Sequence, residues 1–227
     1  MQTLLILHGA IGAKDQLAPL SGVLQDDFEV HSLNFSGHGG EPFQSQFSIP
    51  QFADEVYGYI QKYHLKNLHI FGYSMGGYAA LYLAKKYPGS VEKIMTLATK
   101  FNWSPEIAQQ EVKMLNPQLI EEKVPAFAKA LQERHAPNSW KELMEKTAQM
   151  MLGLGEKHPL SAEDFQSIKT PVKLTIGNAD KMVTVDETAQ VASLLPNAEL
   201  LILPDVQHPI EKVPIALLAQ EIKTFFK

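Results

Sequence analysis

The sequence predicts an α/β protein, with a mostly parallel sheet of about six strands and helices on both of its faces. Three observations predict it. Six short apolar runs, at residues 3–7, 30–33, 68–71, 94–98, 172–176 and 200–203, are spread along the 227 residues. Each run is continuous and ends in glycine or loop residues, as strands buried on both faces do. Segments of helical periodicity separate most of them, and such alternation means parallel strands with helices packed above and below.

The first run leads into His8-Gly9. A helix follows over residues 15–26, with Leu17, Leu20 and Leu24 on one face. Pro19 fits there only near the first turn, because proline cannot donate an intrahelical bond. The second run leads into the glycine-rich residues 37–40. Ser48 and Gln51 then read as a capping box ahead of Phe52, Val56 and Ile60. After the third run, residues 75–86 are rich in Ala and Leu and stop before Pro88, as a helix should. Thr184 and Glu187 read as a capping box between the fifth and sixth runs. A final amphipathic helix is expected over residues 212–226.

Residues 99–170 break the alternation. They hold no strand-like run, and helical stretches are punctuated by Pro105, Pro117, Pro125, Pro137 and Pro159. Ser104-Pro105-Glu106 looks like a helix start. The expected division is a core of residues 1–98 and 171–227, with residues 99–170 as a helical cap. Trp103, Trp140, Phe127 and four of the eight Met residues fall in the cap, a composition suited to an adaptable apolar pocket as well as to ordinary packing.

Composition excludes several function classes. There is no Cys, so disulfides, Cys-ligated zinc, iron–sulfur clusters and thiol catalysis are out. The formal net charge is −5 and Arg134 is the single arginine, so no basic stripe exists for nucleic acid. No apolar run approaches the ~20 residues of a membrane span, and the N-terminus lacks the basic region of a secretory signal. The expected compartment is the cytoplasm and the expected partner a small-molecule substrate. No His/Asp/Glu spacing resembles a metal site. Residues 37–40 lack both the dinucleotide-binding glycine spacing and a Walker lysine. The expectation is therefore no cofactor and no metal.

The strongest local signal is Gly72-Tyr73-Ser74-Met75-Gly76-Gly77, placed between a predicted strand and a predicted helix. A nucleophile elbow needs that context, with small residues flanking a serine on a strained turn. The helix N-terminus adds positive potential where an oxyanion would develop. A serine needs a base, and the base an orienting acid. Asp180 follows the fifth run and His208 the sixth, where loops at strand carboxyl ends gather. Asp186 and Asp205 are alternative acids, but helix capping explains the first better and a turn the second. His8 reads as a brace for its turn and His38 as structural. His31, His64, His69, His135 and His158 read as solvated or packed.

These residues together resemble the α/β-hydrolase superfamily over essentially the whole chain: His8-Gly9, Gly37-His38-Gly39, the Gly-Tyr-Ser-Met-Gly-Gly elbow, Gly177-Asn178-Ala179-Asp180 and the late His208. The resemblance implies the α/β-hydrolase fold, shortened by the two strands the family usually places first. It implies Ser74 as nucleophile, Asp180 as acid and His208 as base, with the backbone N–H groups of Ala10 and Met75 as oxyanion hole. Two departures stand out. The family's Asp-x-Arg-Gly-x-Gly-x-Ser loop is Asn34-Phe35-Ser36-Gly37-His38-Gly39-Gly40-Glu41 here, and Gln207 replaces the usual glycine before the histidine.

The expected activity is that of a carboxylesterase-like serine hydrolase, cleaving a small, mostly neutral ester through an acyl-enzyme on Ser74. The elbow is also similar to that of the menaquinone-pathway lyase family. That family follows its two glycines with Arg, whereas Tyr78 stands here, and one arginine offers little for a multiply anionic substrate. A carbon–carbon hydrolase on the same residues is another alternative, and a non-catalytic small-ligand receptor on the same fold is the rival from another class.

Overall fold

Apolar side chains in β1 (Gln2–Leu7) alternate between two cores: Leu5 and Leu7 join one hydrophobic cluster, Leu4 and Ile6 the other. That period of two organises the whole molecule, described here for residues 1–227 from a computed structural model. The strands are β1, β2 (Phe28–Ser32), β3 (Leu68–Tyr73), β4 (Lys93–Leu97), β5 (Val172–Gly177) and β6 (Ala198–Leu203). They form one sheet in the order β2-β1-β3-β4-β5-β6, and every pairing is parallel.

The central strands are buried on both faces, as expected, but the edges are not. In β6, Leu200 is 39% and Ile202 45% exposed, and β2 is only partly covered. An edge strand has a neighbour on one side only, so helices that span the sheet's middle leave part of it open to water.

On one face pack α1 (Ala18–Leu24) and α10 (Ile215–Phe226). On the other lie α2 (Ile49–Lys62), α3 (Met75–Lys86) and α9 (Val185–Leu194). Pro19 sits in the first turn of α1, which follows a short 3-10 turn at Lys14–Leu17. Thr184 and Glu187 make the expected capping box on α9. The box expected at Ser48 forms only by half. Ser48 accepts the Gln51 N–H at 3.2 Å, but the Gln51 side chain turns away to Ser36 and Glu55, each at 2.8 Å. A carboxylate and a hydroxyl together outcompete one backbone N–H for the amide.

Between β4 and β5 the only regular elements are helices: α4 (Pro105–Glu111), a 3-10 turn (Val112–Leu115), α5 (Pro117–Lys123), α6 (Pro125–His135), α7 (Trp140–Glu156) and α8 (Ala162–Ser167). Ser104 caps α4 and Ser139 caps α7. Part of this insertion shares the main core, since Trp103, Leu143, Met150 and Leu154 cluster with Met75 and Tyr78. The rest has a small core of its own, with Leu131, Trp140 and Met144. Phe127, read as either a packing or a pocket residue, is 40% exposed.

Sheet order positions the site. From β1 the chain crosses to β2 on one side and then to β3 on the other. The loops after β1 and β3 therefore diverge and open a crevice at the strands' carboxyl ends, where ligands of open α/β sheets bind.

Candidate active site

Ser74 stands in that crevice, between the end of β3 and the start of α3. Its backbone has φ 50° and ψ −115°, a strained conformation for a residue with a side chain. Two glycines permit the tight turn. A Cβ on Gly72 would lie 2.5 Å from Gly77 N, and one on Gly76 2.7 Å from the carbonyl oxygens of Leu7 and His8. The turn is pinned by Ser74 N–H donating to Leu97 O at 2.8 Å and by Thr99 Oγ1 donating to Ser74 O at 2.9 Å. Ser74 occupies the N-cap position of α3, yet its hydroxyl makes no capping bond. Serines at N-caps ordinarily spend their oxygen that way; this one keeps it.

Asp180 and His208 are brought together by the loops after β5 and β6. His208 Nδ1 lies 2.8 Å from Asp180 Oδ2, with Asp180 only 1% and His208 13% exposed at the side chain. Since a carboxylate only accepts, Nδ1 is the donor, and in the neutral ring that tautomer leaves Nε2 its lone pair. The other carboxylate oxygen accepts the N–H groups of Met182 at 2.8 Å and Val183 at 2.9 Å. Burial alone would raise the Asp180 pKa, but the His208 bond and charge and the two backbone donors outweigh it and hold the carboxyl below its ordinary range. The two alternative acids lie elsewhere. Asp186 lies in the first turn of α9. Asp205 is an exposed turn residue with φ 58°, its N–H bonded to Asn178 Oδ1.

No hydrogen bond joins Ser74 Oγ to His208. The link between the elbow and the histidine loop runs instead through Tyr73, whose hydroxyl donates to His208 O at 3.0 Å. Sequence reasoning assigned Tyr73 nothing, since the variable position of the elbow carries no signal for a partner 135 residues away.

Ala10 lies in the loop after β1 and Met75 opens α3; neither backbone N–H has a partner within the chain. Both residues border the same cavity as Ser74. It measures about 40 Å³ and is otherwise walled mainly by apolar side chains, among them Ile49, Trp103, Met150 and Met151. The one charged wall residue is Lys100. Its Nζ donates to Met182 O at 2.7 Å and pairs with Glu111 at 3.3 Å, so its charge is already met. Larger grooves lie elsewhere, one of them beside Lys66 and Pro88 at the amino ends of β3 and β4.

The loop histidines are packed. His8 is 1% exposed; Nδ1–H donates to Gly9 O at 2.8 Å and Nε2 accepts Phe35 N–H at 3.1 Å. Burial pushes its pKa down to about 4. His38 is fully buried, donates Nδ1–H to Ser36 O at 3.0 Å, stacks on Phe47 and leaves Nε2 without a partner. Burial pushes it well below 6.5, the charge of His8 adding to the effect. No group of three or more His, Asp or Glu side chains is placed to hold a metal ion.

Comparison with known proteins places this geometry in a family. A family model described as alpha/beta hydrolase fold matches residues 2–143, more than half of the chain. The chain belongs to the α/β-hydrolase fold family. It is 22% identical over 228 residues to Lipase 3 of Moraxella sp. (strain TA144), covering 91% of this chain and 71% of that one. It is 31% identical over 94 residues to pimeloyl-[acyl-carrier protein] methyl ester esterase of Neisseria meningitidis, covering 41% of this chain and 35% of the esterase. Among solved structures, an E-2-(acetamidomethylene)succinate hydrolase superposes with a TM-score of 0.80 at 18% identity, covering 99% of this chain and 91% of that one.

Proposed function

We propose that this chain is a serine hydrolase that cleaves small, mostly neutral esters through an acyl-enzyme on Ser74. The observation that carries the proposal is the buried Asp180–His208 hydrogen bond, at 2.8 Å, in a loop that Tyr73 ties to the elbow of an uncapped serine with strained backbone angles.

His208 Nε2 takes the Ser74 proton as Oγ attacks the ester carbonyl. Asp180 holds the ring in the tautomer that leaves Nε2 free and stabilises the imidazolium that forms. The Ala10 and Met75 N–H groups take the oxyanion, helped by the N-terminal end of α3. His208 then protonates the departing alcohol, and a water activated by the same nitrogen cleaves the acyl group from Ser74. The Ser74–His208 hydrogen bond forms as substrate binds, since such contacts are commonly long in unliganded sites. Helices α4 to α8 act as a cap, and a space of about 40 Å³ beneath them means they shift to admit substrate.

Lipase and esterase relatives support ester chemistry. The apolar wall and the neutralised Lys100 support an uncharged substrate. The test is pre-steady-state release of p-nitrophenol from p-nitrophenyl butyrate. The proposal expects a burst matching the enzyme concentration, absent in Ser74→Ala. Equal turnover by both chains rules it out.

A further inference from the structure

The loop that carries Ala10 is held in place from the helical insertion. Residues 9–12 form a turn closed by Gly12 N–H donating to Gly9 O at 3.2 Å. Ile11 is its third residue and has φ 53°. Turns of that hand take glycine at this position, and a β-branched side chain there is strained. Relief of that strain requires the backbone on both sides of Ile11 to shift, Ala10 included.

The last residue of α6 opposes that relaxation. His135 Nε2–H donates to Ile11 O at 3.0 Å, while Nδ1 accepts Gly39 N–H at 3.0 Å. One neutral tautomer satisfies both, and the ring is fully buried. Neighbouring contacts fix the same corner. Asn34 Nδ2 donates to Gly39 O at 3.2 Å and Asn34 Oδ1 accepts Lys14 N–H at 2.8 Å. Asn138 Nδ2 donates to Gly37 O at 3.2 Å. A Cβ on Gly40 would lie 2.7 Å from Ala136 O, so the end of α6 sits directly on the loop after β2.

We infer that His135 is a positioning residue for the oxyanion hole: by gripping Ile11 O it holds the strained turn that carries Ala10, whose N–H is unpartnered and which borders the cavity. The inference rests on the hydrolase reading above. It has a consequence for closure, because the donor is set only while α6 is docked. A cap movement that lifts α6 releases Ile11 and switches the hole off.

The test compares three substitutions with the wild-type chain on p-nitrophenyl butyrate. His135→Asn keeps an acceptor near Gly39 N–H but is too short to reach Ile11 O. His135→Phe fills the ring's space with neither donor nor acceptor, and reads the same loss should the Asn chain not fold. His135→Gln can present an amide N–H where Nε2 was. The expected result is a kcat lower by about 10- to 100-fold in the Asn and Phe chains, KM within about threefold, and most of kcat recovered in the Gln chain. Thermal stability is measured beside it. A fall in Tm with kcat unchanged, or a Gln chain as slow as the Asn chain, overturns the inference and leaves His135 a packing residue. A wild-type chain with no turnover and no burst fails the hydrolase reading itself, and the inference with it.

Discussion

At the scale of residues, the three candidate acids separate sharply. Asp180 alone contacts His208. Asp180→Asn should keep the fold but present the wrong tautomer, lowering kcat by up to ~10⁴-fold. Asp186→Asn and Asp205→Asn should stay within a few-fold of wild type. Steady-state kinetics on the three chains checks this, and an equal loss from either of the others would reassign the acid. A second expectation concerns acid stability. His8 and His135 are both held down to about 4 from the ordinary 6.5, chiefly by burial, and His38 is lowered too. Between those values the unfolded chain binds protons that the folded chain refuses, so stability rises with pH across this window and is lost as pH falls from 6.5 towards 4. Each such histidine contributes a slope of up to about 1.4 kcal/mol per pH unit. Asp180, with its lowered pKa, adds a loss at still lower pH. Urea unfolding at pH 7.0, 6.0 and 5.0 should show stability falling by more than one histidine's slope; a flat profile would mean these rings are solvated. The Asp180–His208 contact and the strained turn at Ser74 were legible in the sequence because each candidate announces itself locally, by a glycine-flanked serine or a polar residue past an apolar run. His135 and Tyr73 were not. The partners of His135 lie 96 and 124 residues away, and a histidine at a helix end gives no sign of what it will meet.

At the scale of elements, glycines sort by what surrounds them. A Cβ at Gly58, inside α2, meets nothing within 4 Å, so Gly58→Ala should stabilise by about 0.5–1 kcal/mol through helix propensity. A Cβ at Gly76 meets two backbone oxygens at 2.7 Å that cannot move aside. Gly76→Ala should therefore destabilise by about 1–3 kcal/mol, as overpacking does, and disturb the elbow with it. Urea midpoints on the two chains check both signs. The central strands and α3 were readable because burial on two faces and a run of Ala and Leu leave one interpretation. The edge strands read the same in sequence but end up half exposed, since a strand's position in a sheet is a property of the whole topology. The Ser48 box stayed half-formed for a related reason: one competing partner, Glu55, is a helix turn away, but the other, Ser36, lies 15 residues back and reaches Gln51 only after folding.

At the scale of the whole molecule, the helical insertion supplies much of the wall around Ser74. Its Trp103, Met150 and Met151 wall the cavity, and the Lys100 charge is met by Glu111 and Met182. A neutral butyrate ester should thus have a higher kcat/KM than its succinate half-ester. Preference for the charged ester would instead make Lys100 an anion anchor. The sequence marked the insertion by its prolines and missing strands. Which of its aromatics face the site and which face solvent depended on helix packing that no local pattern encodes, as exposed Phe127 shows. The central claim is that Ser74 is the nucleophile, and covalent labelling tests it most directly. Incubation with an alkyl fluorophosphonate followed by intact-mass and peptide mass spectrometry should show one adduct per chain, on Ser74. Asp180→Asn should slow its formation by orders of magnitude, and Ser74→Ala should abolish it. An adduct on another residue, or one that persists in Ser74→Ala, would contradict the account.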